Sequence, residues 1–128
     1  MALLTIITML AIIEYIYFGM KVGKARGEYG IAAPAVTGHE MFERHYRVQM
    51  NTLEQIVIFL PALWAFGHYV NHYAAALFGL IYLFGRMIYA IKYIEEPSKR
   101  GVGMMMTMIP SMLMIIGGLL GAVYALLQ

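Results

Sequence analysis

Residues 43–55 read Glu-Arg-His-Tyr-Arg-Val-Gln-Met-Asn-Thr-Leu-Glu-Gln and run without a turn signal into the apolar stretch Ile56–Val70. This pattern predicts one long helix that begins in water or lipid headgroups and continues into hydrocarbon. At about 100° per residue, four polar residues share one stripe of this helix: Arg44, Arg47, Asn51 and Glu54. Charged groups cost about 2.5–3.5 kcal/mol each in a bilayer unless they are paired or hydrated. We expect the stripe to face a bundle interior or a hydrated cavity, although an interfacial helix start whose charges reach back to water is the alternative.

The composition is that of a membrane protein. Of 128 residues, 62% are hydrophobic and only 12% are charged, whereas soluble domains average about 25% charged residues. The chain has no cysteine, which excludes disulfides, thiolate metal ligands and a cysteine nucleophile. The net charge of +2 comes without a basic tail, so nothing indicates binding to nucleic acid. The histidines lack metal-ligand spacing, so we expect no metal.

Four apolar segments are long enough to cross the roughly 30 Å hydrocarbon core of a bilayer. We place the helices at about residues 2–22, 38–69, 74–94 and 98–127. They predict an all-α membrane protein with a single domain, an antiparallel bundle of four transmembrane helices. The first helix lacks a basic n-region and a small-residue cleavage site, so we expect it to be retained rather than removed as a signal peptide.

Two polar connections join the first helix to the second and the third to the fourth. Thr37 and Glu40 have capping-box spacing, which predicts a helix start near Gly38. Pro97 is expected to end the third helix, and Ser98 is expected to cap the fourth.

The distribution of positive charge predicts the orientation in the membrane. Lys and Arg occur only in residues 21–47 and 86–100. By the positive-inside rule, both polar connections then lie on the cytoplasmic side, and the termini lie opposite them. The candidate active site would be in the cytoplasmic half of the bundle.

Two ionisable residues are predicted to lie within the membrane. Arg86 is more than two turns inside the third helix, and we expect Glu54 to be its partner, in a pair that binds a ligand or is purely structural. Glu14 of the first helix should face other helices, as a hydrogen-bonded packing residue or as a functional group. The stripe of Arg86 also carries three tyrosines, Tyr82, Tyr89 and Tyr93.

Hydrogen-bond donors dominate one end of the predicted bundle. Several arginines suit the carboxylates of a small anion, and a single acid suits an ammonium group. An arginine beside a bound thiol would favour the thiolate. These residues are Arg26, Arg44, Arg47, Asn51, Glu54, Arg86, Tyr89, Tyr93 and Arg100.

The stretch from Glu43 to Glu54 resembles the E-R-x-Y-R-x-Q-x-N-x-x-E signature of the MAPEG family, the membrane-associated proteins of eicosanoid and glutathione metabolism. The likeness extends without gaps to Ala25-Arg26 and to residues 74–86, and the chain is similar to the glutathione transferase and leukotriene synthase members. The resemblance implies a four-helix bundle that forms a homotrimer, with glutathione bound between neighbouring subunits on the cytosolic side.

The resemblance also implies roles for individual residues. Arg100 matches the arginine that stabilises the glutathione thiolate, and it is the expected catalytic residue. The chain departs from leukotriene synthases at Gln55, where they have Tyr, and from prostaglandin E synthases at Gly101 and Met104, where they have Ser and Tyr. The implied glutathione contacts are Arg26, Arg47, Gln49, Asn51, Glu54, Arg86, Tyr89 and Tyr93.

The function implied by the resemblance is that of an integral membrane glutathione transferase, with peroxidase activity as an addition. Glutathione would be the co-substrate, and a hydrophobic electrophile would arrive from the membrane lipid. The alternative is a non-catalytic, lipid-binding scaffold that resembles the five-lipoxygenase activating protein. Retention of Arg47, Asn51, Glu54 and Arg100 favours the enzyme. A small transporter subunit is less consistent with polar residues that lie at one end of the bundle.

Overall fold

Four long α-helices make up the structure, a computed structural model that describes all 128 residues. They are α1 (Ala2–Tyr29), α2 (Glu40–Tyr69), α3 (His72–Glu95) and α4 (Gly101–Leu126), and a 3-10 turn (Pro97–Lys99) precedes α4. All four helices are long and apolar enough to cross a membrane. The predicted all-α, multi-pass architecture is therefore confirmed.

The helices pack with α2 and α3 in the middle of the bundle. α1 contacts both of them on one side, and α4 contacts both on the other. α1 and α2 are antiparallel, since Leu4 lies against Gly67 at one end and Gly19 lies beside Gln49 toward the other. Most of the exposed large apolar side chains belong to α1 and α4. These two helices therefore present the surface that lipid or another copy of the chain would cover.

Glycines bring α3 and α4 into close contact beside the polar end of the bundle. A Cβ atom on Gly103 would lie 2.5 Å from the Cα atom of Tyr89, and one on Gly85 would lie 2.6 Å from the Cβ atom of Met106. Small residues of this kind let helix backbones approach each other in membranes. The start of α4 is thereby held against Tyr89.

The connection between α1 and α2 is shorter than predicted, because α1 continues to Tyr29 instead of ending near residue 22. Val22 and Ala25 stay in contact with Phe42 of α2, and this packing outweighs the low helix propensity of Gly23 and Gly27, the two glycines in this last part of α1. Gly30 ends the helix with a φ of 69°, which glycine adopts without strain. α3 also begins early, at His72, since Asn71 caps it.

Two predicted caps differ in the structure. His39, not Thr37, caps α2, and its Nδ1 atom accepts a hydrogen bond from the N–H of Met41 at 3.1 Å. Ser98 lies within the 3-10 turn instead of capping α4. This turn moves the helix start by two residues, so Arg100 occupies the N-cap position without a side-chain cap.

Candidate functional site

Arg86 of α3 lies at the centre of the bundle and is fully buried. Its Nη2 atom donates to Asn51 Oδ1 and to Thr52 Oγ1, both at 2.8 Å, and its Nη1 atom donates to Thr107 Oγ1 at 3.3 Å. The guanidinium carbon also lies 4.3 Å from the ring centre of Tyr89, which is a cation–π contact. One side chain therefore connects α2, α3 and α4 at a single level.

The two threonines are oriented as hydrogen-bond acceptors for Arg86. Thr52 donates its own hydroxyl proton to the carbonyl of Val48 at 2.7 Å, and Thr107 donates to the carbonyl of Gly103 at 2.8 Å. Since each proton is already used, the oxygen lone pairs remain for the guanidinium. Neither threonine was among the predicted site residues. The sequence feature that could have indicated them is a hydroxyl group inside an apolar helix, because such groups often form hydrogen bonds between helices in membranes.

The predicted pair between Arg86 and Glu54 is wrong. Glu54 pairs instead with Arg47, with 3.3 Å between Oε1 and Nη2 and 3.4 Å between Oε2 and Nη1. Both side chains are about half exposed, at 54% for Glu54 and 47% for Arg47. The reason is the rotation of α2 about its axis, which turns the face with Asn51, Thr52 and Gln55 toward Arg86 and leaves Glu54 exposed.

The group of polar residues next to Arg86 at this end of the bundle is here called the polar face; its three charged side chains are exposed, whereas Asn51 and Tyr89 are buried. The rings of Tyr89 and Tyr93 stack with their centres 5.5 Å apart. Gly103 at the start of α4 lies against the backbone of Tyr89, and Arg86 links the ring of Tyr89 to Asn51 of α2. Arg100 is exposed, and its Nη1 atom donates to the carbonyl of Pro97 at 3.0 Å. The polar face consists of Arg47, Asn51, Glu54, Tyr89, Tyr93 and Arg100.

The first turn of α4 adds backbone N–H groups to the polar face. The first hydrogen bond of this helix runs from the N–H of Met104 to the carbonyl of Arg100, at 3.0 Å. The N–H groups of residues 101–103 therefore have no partner within the helix, and they carry the positive end of its dipole. An anion beside Arg100 would be stabilised by the guanidinium and by these N–H groups together.

Two of the predicted glutathione contacts lie away from the polar face. Arg26 donates to the carbonyl of Ala35 at 2.7 Å, at the end of α1. Gln49 lies against Gly19 of α1, and two residues along a helix turn its side chain about 200° away from that of Arg47. Within a single chain, Arg26 and Gln49 are therefore on the α1 side of the bundle.

Arg44, which shares the predicted stripe with Arg47, is bound to the end of α3. Its Nη1 atom donates to the carbonyls of Ile94 and Glu95 at 2.9 and 3.1 Å, and its Nη2 atom donates to the Glu40 carboxylate at 2.5 Å. These bonds satisfy carbonyls that the helix end leaves without partners. Of the two stripe arginines, Arg47 is thus the one left accessible.

Comparisons with known proteins are consistent with one family. The model of the MAPEG family matches residues 4–120. An uncharacterised protein of Synechocystis sp. is 44% identical over 123 residues, which cover 96% of this chain and 90% of that protein. Microsomal glutathione S-transferase 2 of Homo sapiens is 39% identical over 118 residues, covering 91% and 80%. Leukotriene C4 synthase of Cavia porcellus is 40% identical over 99 residues, covering 77% and 66%.

Proposed function

The chain belongs to the MAPEG family, and we propose that it is a membrane-bound glutathione transferase that activates glutathione as a thiolate. The thiolate attacks a hydrophobic electrophile that enters from the bilayer. With a lipid hydroperoxide instead, two glutathione molecules supply the two electrons, and the products are the lipid alcohol, water and glutathione disulfide. The observation that carries this proposal is the polar face, on which Arg47, Glu54 and Arg100 are accessible around two stacked tyrosines. Relatives that are named a glutathione S-transferase and a leukotriene C4 synthase support it.

The charges of the polar face match those of glutathione, which has two carboxylates, one ammonium group and one thiol. Arg47 suits a carboxylate, and Glu54 suits the ammonium group. In the structure these two side chains pair with each other at 3.3 Å while about half exposed. An exposed pair of this kind contributes only about 0–1 kcal/mol. Exchanging it for bonds to the tripeptide therefore costs little.

Arg86 is buried next to the proposed binding site and orients two of its residues. Because Asn51 Oδ1 accepts from Arg86, the amide of Asn51 is oriented with its Nδ2 donor free for a ligand. The same guanidinium lies on the ring of Tyr89. Direct contact between Arg86 and glutathione stays a prediction, and full burial is better suited to a residue that positions Asn51 and Tyr89.

The remaining contacts come from a neighbouring copy of the chain in a homotrimer. Arg26 and Gln49 lie on the α1 side and do not meet the polar face of their own chain. A neighbour that packs its α1 beside this face would add both residues to the site. The exposed apolar side chains of α1 and α4 are available for this assembly. A groove between α4 of one copy and α1 of the next would admit the hydrophobic substrate.

We also place the polar face on the cytoplasmic side. The structure brings the end of α1, the start of α2, the end of α3 and the start of α4 to one end of the bundle. Lys and Arg are concentrated in these segments, and positive charge is enriched on the cytoplasmic side of membrane proteins.

The proposed chemistry needs a stabilised sulfur anion and a correctly placed acceptor. Arg100 and the free N–H groups at the start of α4 stabilise the thiolate, and the thiol proton passes to water. With a chlorinated aromatic acceptor, sulfur forms the new carbon–sulfur bond and chloride leaves with the bonding electrons. Binding both substrates side by side provides the proximity, and no covalent intermediate with the protein forms.

The proposal is tested by Arg100→Ala, with glutathione and a chlorinated aromatic acceptor in detergent. We expect kcat to fall roughly a hundredfold, as when one donor to a developing anion is removed, and the thermal unfolding midpoint to stay unchanged. Lys99→Ala is the matched control, because Lys99 is an exposed neighbour that pairs with Glu95 at 2.6 Å. Equal turnover in wild type and Arg100→Ala would remove Arg100 from the mechanism. Calorimetry that detects no glutathione binding to the wild type would favour the scaffold instead.

A further inference from the structure

Glu14 of α1 and Arg86 of α3 lie at the same depth in the bundle. α1 and α3 are parallel, and Ile7 of α1 lies against Gly79 of α3, which follows it by 72 residues. In two parallel helices the same offset continues from turn to turn. The residue that follows Glu14 by 72 positions is Arg86.

Two further observations support this register. Phe18 and Ala90 belong to one buried cluster, and they too are 72 residues apart. Arg86 is the charged group that acts electrostatically on the carboxyl group of Glu14. α1 thus brings an acid to the level at which Arg86 connects the other three helices.

Three buried side-chain atoms near this level have no hydrogen-bond partner within the chain. They are Glu14 Oε1, Tyr82 Oη and Arg86 Nε. Tyr82 lies one turn before Arg86 on α3, and both Arg86 and Glu14 act on its hydroxyl electrostatically. Hydrocarbon supplies no partner for such atoms. A buried water typically makes two to four hydrogen bonds to groups of this kind.

We propose that these three atoms bind one buried water molecule, and that Glu14 is thereby a positioning residue for the glutathione site. The N–H at Nε of Arg86 donates to the water, the water donates to Glu14 Oε1, and the hydroxyl of Tyr82 completes its hydrogen bonds. The role in glutathione binding rests on the function proposed above, whereas the water site does not.

The water would fix the plane of the Arg86 guanidinium. This group is planar, so holding Nε determines where the two Nη atoms point. Nη2 is the atom that donates to Asn51, and the guanidinium carbon lies over Tyr89. Through the water, α1 joins the arrangement that orients both of these proposed glutathione contacts.

The test is a double-mutant cycle between Tyr82→Phe and Glu14→Met. The readouts are the thermal unfolding midpoint in detergent and the Kd of glutathione measured by calorimetry. In the presence of Glu14, we expect Tyr82→Phe to lower the midpoint and to raise the Kd about fivefold, the effect of losing one ordinary hydrogen bond. In the Glu14→Met background, the water is already lost, so Tyr82→Phe should change neither quantity.

Glu28→Met is the matched control, because Glu28 is an exposed acid on the same helix. In that background Tyr82→Phe should keep its full effect. If Tyr82→Phe has the same effect with and without the Glu14→Met substitution, the shared water is overturned. If the wild type does not bind glutathione, the proposed function fails, and the unfolding midpoints still decide the water site.

A direct structural measurement covers the case in which Glu14→Met does not fold. In a structure of the wild-type assembly that resolves ordered water, density within hydrogen-bonding distance of Glu14 Oε1, Tyr82 Oη and Arg86 Nε supports the proposal. A dry site, or a Glu14 side chain that points into lipid, overturns it.

Discussion

Replacing Thr52 by valine removes one acceptor from the buried guanidinium of Arg86 and keeps the shape of the side chain. The lost bond measures 2.8 Å and is fully buried. Hydrogen bonds to charged groups contribute about 1.5–3 kcal/mol, so we expect the free energy of unfolding to fall by about 2–3 kcal/mol. Thr107→Val removes a longer bond of 3.3 Å, and we expect a loss of about 1–2 kcal/mol.

The assay is equilibrium unfolding in detergent, followed by the fluorescence of Trp64. This is the single tryptophan of the chain, and its Nε1 atom donates to Thr8 at 2.8 Å, so its environment changes when α1 and α2 separate. Ser111→Ala is the matched control, because Ser111 is a buried hydroxyl that donates to the carbonyl of Thr107 and does not contact Arg86.

The control should lose no more than about 1 kcal/mol, as expected for a bond between neutral groups. If Thr52→Val is no more destabilising than Ser111→Ala, then the guanidinium does not depend on this hydroxyl. Arg86 would then not be the residue that links α2, α3 and α4 through its hydrogen bonds.

Three other predictions concern the surroundings of the site. Arg47→Gln should weaken glutathione binding about tenfold through the loss of a charge-assisted bond, while the unfolding midpoint stays near that of the wild type; a Kd equal to the wild-type value in calorimetry contradicts it. Gly103→Ala should cost about 1–3 kcal/mol of stability through overpacking, whereas Gly101→Ala, where a Cβ meets nothing within 4 Å, should be neutral; equal midpoints for the two variants count against it. Arg44→Met should speed amide hydrogen exchange at the end of α3, where Arg44 binds the carbonyl of Glu95; unchanged exchange there would mean that this bond does not hold the helix end.

The sequence predicted the helices well because their signal is local. Four apolar runs of sufficient length, together with a helical stripe, place Arg47, Asn51 and Glu54 on one side of α2 without knowledge of any other helix. The ends were predicted less well. α1 continues to Tyr29 because of its contact with Phe42, and a contact between helices is not visible in the spacing of one of them.

The partner of Arg86 could not be predicted from the sequence of α2. Asn51 and Glu54 share a stripe and are three residues apart, so periodicity alone does not decide which of them meets Arg86. The choice depends on how α2 is rotated about its axis, and in the structure Asn51 is turned toward Arg86. Arg26 and Gln49 lie away from the polar face of their own chain. The proposed packing of one copy against another, which would bring them to it, is not contained in the spacing within one helix.

The close contact between Gly103 and Tyr89 also decides between two positions of α4. In a bilayer, apolar contacts between helices differ little from contacts with lipid tails, so they resist sliding only weakly. If α4 slid by one turn, Ser111 would replace Thr107 as the hydroxyl opposite Arg86, and the guanidinium would still find an oxygen. The same slide would press the branched Cβ of Thr107 against the backbone of Tyr89, where only a hydrogen atom fits. Gly103 therefore selects one of two positions of α4, both of which would give Arg86 a hydroxyl to bind.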